Sequence, residues 1–158
     1  MSGRVCPQHG ASRERRIDPD YRDIYVQICK PGGNGAIHWM IVIKWPGADR
    51  GTRLHSVGSK GNRQLSIESD KRFDSASVET THYLGQIYAS ESPIVRSEAK
   101  RIPLQSCQLW ACYLILRLER KGLLQNGLYD HYMNCYSHRR DEDYGPGHDI
   151  ECRAHYRY

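Results

Sequence analysis

The sequence predicts an α+β fold: a short antiparallel sheet packed on one main helix. Three observations carry that prediction. Between residues 21 and 88, apolar side chains alternate with polar ones in short runs separated by Gly, Pro and Asn turns, which is the period of strands. From Leu109 to Glu119 the period lengthens to that of a helix, and Gly122 stops it. The chain has 158 residues, enough for one domain, and its 39% hydrophobic and 26% charged residues are the composition of a folded protein.

Residues 1–20 read as a flexible arm of Gly, Ser and Arg that ends in a Pro-Asp turn start. Tyr21–Cys29 reads as a strand with Ile24, Val26 and Ile28 on one face. The PGGNG loop at 31–35 precedes a strand, whereas a phosphate-binding loop follows one and opens a helix. Ala36–Trp45 reads as a strong strand, with Ile37, Trp39, Ile41 and Ile43 on one face and His38, Met40, Val42 and Lys44 on the other. A turn at 46–51 leads to Thr52–Val57 as the second arm of a hairpin. Gln64–Ser69 follows as a further strand, and His82–Tyr88 as the last, interrupted by Gly85. Residues 93–99 hold a short helical turn. Pro103 and the N-cap candidate Ser106 then open the main helix. The folded unit is expected over 21–127, and the Tyr-, His- and Arg-rich segment 128–158 is expected to be irregular.

The most apolar stretches, Ala36–Trp45 and Leu109–Leu118, are about half the length of a membrane span. The first twenty residues lack the apolar segment of a secretory signal, so a cytoplasmic protein is expected. In that setting the six cysteines are thiols or metal ligands rather than a disulfide framework. Twenty-three Lys and Arg against 18 Asp and Glu leave a formal charge of +5, which permits nucleic-acid contact without arguing for it.

Cys107 is the informative position. A cysteine in the first turn of a helix faces unpaired backbone N–H groups and the positive end of the macrodipole, both of which favour thiolate. Two histidines on preceding strands, His38 and His55, could supply the imidazole that a catalytic thiolate needs. Against this, a single helix cysteine is usually a small core residue. In the tail, Cys135-x2-His138 and His148-x3-Cys152 have zinc-like pair spacing, yet the pairs are mixed and histidine is frequent there. Tyr129, Tyr132, Tyr136, Tyr144, Tyr156 and Tyr158 interleave with Arg139, Arg140, Arg153 and Arg157, a pattern that can stack on and hold single-stranded nucleic acid. Asp141, Glu142 and Asp143 would repel phosphate locally.

Taken together, Ile37-His38-Trp39-Met40-Ile41-Val42 and Leu54-His55-Ser56-Val57-Gly58 resemble the His-Trp and Leu-His strands of lecithin:retinol-acyltransferase-like proteins, members of the circularly permuted papain-like (NlpC-type) cysteine enzymes. Ser106-Cys107-Gln108-Leu109-Trp110 resembles their cysteine-bearing helix start, with Ser106 where the family has Asn. The order is also similar to small fungal proteins that combine a His-Trp strand, a Leu-His-x-Val-Gly strand, a Leu-Gly-x-Ile segment (here Leu84-Gly85-Gln86-Ile87) and a Cys-Gln-x-Trp helix. The resemblance covers about residues 36–125. It implies Cys107 as nucleophile, His38 as general base and His55 as its orienting partner. It further implies Gln105 or Gln108 at the oxyanion and Trp110 as a wall of the pocket. The activity so implied is that of a cysteine hydrolase or an acyl or aminoacyl transferase in fungal biosynthesis, needing no cofactor. Its acyl donor would be a small molecule, or be carried on a protein or tRNA. The alternative is a catalytically silent binding module for a protein or RNA.

Overall fold

The computed structural model describes residues 20–136 apart from 34. Five strands form one antiparallel sheet: β1 (Tyr21–Cys29), β2 (Trp39–Lys44), β3 (Arg50–Val57), β4 (Gln64–Arg72) and β5 (Val78–Tyr88), in the order β4-β3-β2-β1-β5. Three helices follow: α1 (Ser92–Arg101), α2 (Cys107–Arg120) and α3 (Leu128–Cys135). The α+β class is as the alternation predicts. Gly85 does not break the last strand. It pairs with Ile24, the next pair is Tyr25 with Tyr83, and Leu84 is taken up as a bulge.

The face of the sheet carrying Ile24, Val26, Trp39, Ile41, Ile43 and Leu54 packs against α2. Met40, Val42, Tyr25 and Gln27, on the opposite face, are buried as well. What covers them is the β4–β5 connection, which crosses that face. Gln27 Nε2 donates to the Phe73 carbonyl at 2.9 Å, and the rings of Tyr25 and Phe73 lie 4.7 Å apart. Lys30 N–H donates to the Ser77 carbonyl at 2.9 Å. Burial on both faces explains why β2 reads as a nearly continuous apolar run.

Helix α2 starts where the sequence places it. The Ser106 hydroxyl accepts from Leu109 N–H at 3.4 Å, and past its C-terminus Gly122 takes a φ of +75°, open to glycine at no steric cost. Ten of its fourteen residues are buried, because α1 and α3 flank it while the sheet lies beneath. Glu98 of α1, itself buried, receives Arg117 Nε at 2.5 Å and Lys121 Nζ at 3.6 Å from the end of α2. Burial pushes the Glu98 carboxyl up, but the Arg117 hydrogen bond and the nearby cations outweigh it and hold the group below the usual glutamate value.

The expectation of irregular structure from 128 onward is corrected over Leu128–Cys135, which is helical. Its Tyr, His and Asn content gives α3 little intrinsic propensity, so tertiary contacts decide. The Glu119 carboxylate of α2 accepts the backbone N–H groups of Gly127 and Tyr129, capping the helix start. Tyr132 is buried with its ring edge-on to Trp39, and Tyr129 stacks on Tyr113. Burial raises the Tyr132 hydroxyl to about 12. The predicted helical turn at 93–99 is likewise a full ten-residue helix. Among the described residues no helix is long and apolar enough to cross a membrane.

Candidate active site

Antiparallel pairing of β2 with β3 puts Ile41 opposite Leu54 and Val42 opposite Arg53. Alternation from that register sends His38, just before β2, to the same side as His55 of β3, on the face turned away from the body of α2. The two rings meet there: His38 Nε2 lies 2.6 Å from His55 Nδ1, with the ring planes inclined at 60°. His55 Nε2 in turn lies 3.2 Å from Glu68 Oε1 of β4. Glu68 pairs with Arg53, so it is the diagonal neighbour of His55 on one face.

The hydrogen bonds fix the tautomers of the neutral pair. A carboxylate only accepts, so His55 carries its proton on Nε2 and presents a bare Nδ1. Nδ1 must then accept from His38 Nε2–H. What remains on His38 is an unprotonated Nδ1, the basic nitrogen. Burial pushes the His55 pKa down, with the Glu68 hydrogen bond and charge opposing, which favours the neutral form of His55. For Glu68, burial raises the pKa, but the hydrogen bond to His55 and the charges of His55, Lys71 and Arg53 bring it below its ordinary value.

Cys107 is the first residue of α2 and is 3% exposed. Its thiol donates to the Ile37 carbonyl at 3.7 Å. Cys107 and His38 line one cavity of about 150 Å³ together with Ala36, Ile37, Ser56 and Arg63. The three residues singled out from the sequence thus come to the same end of the sheet. A second thiol, Cys29, is also buried. Burial raises its pKa, and Cys107 adds to the rise while Arg53 and Ser77 oppose it.

The residues expected to support them are placed differently. Gln108 Nε2 is committed to the Ile37 carbonyl at 3.0 Å, the same oxygen that the Cys107 thiol faces. Gln105 is fully buried, its side-chain Nε2 donating to the Pro103 carbonyl and its backbone carbonyl accepting from Ser56 Oγ at 2.8 Å. Both glutamines hold the loop and helix start in position. Trp110 does not wall the cavity: it is fully buried in the core. Among the zinc candidates, Cys135 is exposed at the end of α3, while His138, His148 and Cys152 lie outside the described residues. No cluster of three or more metal-ligating side chains occurs among the described residues, and the four described cysteines are unbridged.

Glu68 was missed by sequence reasoning. It sits on the polar side of an alternating strand, and only the β3–β4 register brings it to His55. No family model matches the chain, and neither does any curated protein or solved structure.

Proposed function

We propose that this chain is a cysteine-dependent hydrolase or acyltransferase of permuted papain-like type, working through an acyl-Cys107 thioester. The observation that supports this most is the hydrogen-bonded run His38–His55–Glu68 beside the cavity that Cys107 lines. A buried His55 that joins a carboxylate to half-buried His38 leaves a basic nitrogen on a residue that lines the same cavity as the thiol.

In this reading His38 Nδ1 takes the Cys107 proton, and the sulfur attacks the acyl carbonyl. The positive end of the α2 macrodipole, where Cys107 sits, favours the oxyanion. As the bond from the carbonyl carbon to its oxygen, nitrogen or sulfur leaving group breaks, His38 returns the proton to that group. Water or an amine then attacks the thioester and passes its proton to His38; the carbon–sulfur bond breaks, the acid or amide departs, and His38 returns the proton to the Cys107 sulfur. His55 keeps His38 in the productive tautomer, and Glu68 does the same for His55. The cavity, at about 150 Å³, fits a short acyl group.

Iodoacetamide labelling of each cysteine against pH, read by peptide mass spectrometry, tests the proposal. Exposed Cys135 serves as the internal reference thiol. Labelling of Cys107 should outpace Cys135 near neutral pH and slow in His38→Ala. Incubation with short-chain thioesters should add one acyl mass at Cys107, and none in Cys107→Ala. Slow labelling that ignores His38, with no acyl adduct, would overturn the proposal and leave the cavity as a binding site only.

A further inference from the structure

At the opposite end of the sheet, about 20 Å along β2 from His38, lies a larger cavity. Its volume is about 560 Å³, within the range of sites for small organic ligands. Its walls include Arg22 of β1, Trp45 after β2, Arg50 of β3 and Arg96 of α1, with Asp70 as the one carboxylate among the described lining residues.

The cations differ in what they can offer. Lys44 also lines the cavity, but its ammonium is spent on the Trp45 and Ala48 carbonyls at 3.3 and 2.9 Å. Arg50 donates to the Asp70 carbonyl at 2.8 Å and stands 3.9 Å from the Asp70 carboxylate. Arg96 has no ion-pair partner among the described residues and is only half-buried. The Arg22 guanidinium lies over the Trp45 ring at 4.5 Å, fixing the indole while the residue stays 55% exposed. A tryptophan so held and so exposed is a stacking platform. At the same end of the sheet Tyr21 and Tyr88 lie ring to ring at 5.2 Å.

A flat apolar face beside arginine forks suits a ligand that is planar at one end and multiply anionic at the other. We propose that this cavity binds a nucleotide unit, its base stacked on Trp45 and its phosphate held by Arg96 and Arg50. The unit could be a free mononucleotide or one residue of a single strand, since the recognising chemistry is the same. The site is separate from Cys107 and does not depend on the reaction proposed there.

Trp39 and Trp110, at 2% and 0% exposure, are shielded, so quenching by an added ligand reports Trp45. The full-length chain is titrated with adenosine monophosphate, adenosine, inorganic phosphate and single-stranded oligoadenylate. Adenosine monophosphate should quench at millimolar concentrations or below, and more tightly than adenosine or phosphate alone. Arg96→Gln should weaken it about tenfold, with the circular dichroism spectrum unchanged. Absence of quenching by adenosine monophosphate, or quenching indifferent to Arg96→Gln and to salt, would overturn the proposal. Oligoadenylate binding far more tightly than the monomer, with steep salt dependence, assigns the strand as the ligand; equal affinity per site assigns the mononucleotide.

Discussion

His38 Nε2 and His55 Nδ1 are 2.6 Å apart, and the carboxylate of Glu68 on the far side of His55 decides which of them donates. Two imidazoles alone could share their protons in either sense. The acceptor-only carboxylate makes His55 the acceptor and His38 the donor, and it does so from the third strand in the row.

That order predicts a graded set of losses. His38→Ala should slow Cys107 alkylation near neutral pH by about 100-fold, the usual scale of a positioned base. Glu68→Ala should cost about tenfold, and Glu68→Gln less, because the amide oxygen still accepts from His55. Stopped-flow alkylation with mass-resolved products measures all three. Equal rates in wild type and Glu68→Ala would remove Glu68 from the relay.

Stability should fall with acid in two stages. Burial holds the folded His55 pKa below its ordinary 6.5, so below that pH the unfolded chain takes up a proton that the folded chain refuses. The loss therefore begins near pH 6.5 and ends at the lower, folded value. His55→Gln should flatten this stage in thermal melts recorded across the range, and an unchanged slope would contradict the assignment.

The second stage belongs to carboxylates. Glu98 and Glu68 both titrate below the ordinary 4.5 in the folded chain, so their contribution is present above that pH and fades as pH falls through the folded values. Glu98→Gln removes the charge that Arg117 and Lys121 share and should cost about 2 kcal/mol at neutral pH. Urea unfolding at pH 7 and pH 3 measures it, and the cost should shrink at the lower pH.

Truncating α3's anchor should be far more damaging than an irregular tail would allow. Tyr132→Ala empties a buried ring site against Trp39 and should cost about 3 kcal/mol in urea unfolding. A loss below about 0.5 kcal/mol, typical of surface positions, would mean that α3 is not docked.

Helix α2 was legible because its period, its Ser106 cap and its Gly122 stop agree with one another. His38, His55 and Cys107 were legible as a group because motif and strand alternation both pointed to them. Glu68 was not, since its meeting with His55 is a long-range consequence of register. Trp110 shares a helix face with Cys107, and periodicity alone does not separate a core ring from one that walls a cavity. Helix α3 is not legible in the sequence because its stability comes from Glu119 and the aromatic contacts of Tyr129 and Tyr132, which local sequence does not encode.

The turn between β3 and β4 gains a meaning from this. Gly58 takes a φ of +100°, and a Cβ there would stand 2.3 Å from the Asn62 carbonyl oxygen. Any side chain would force the turn open and let β4 slide along β3. A slip of one residue turns Glu68 to the other face of the sheet and disconnects it from His55. The chemistry proposed at Cys107 is thus keyed to a glycine that has no reactive group: the lack of a side chain on its α-carbon sets the frame in which three strands are read.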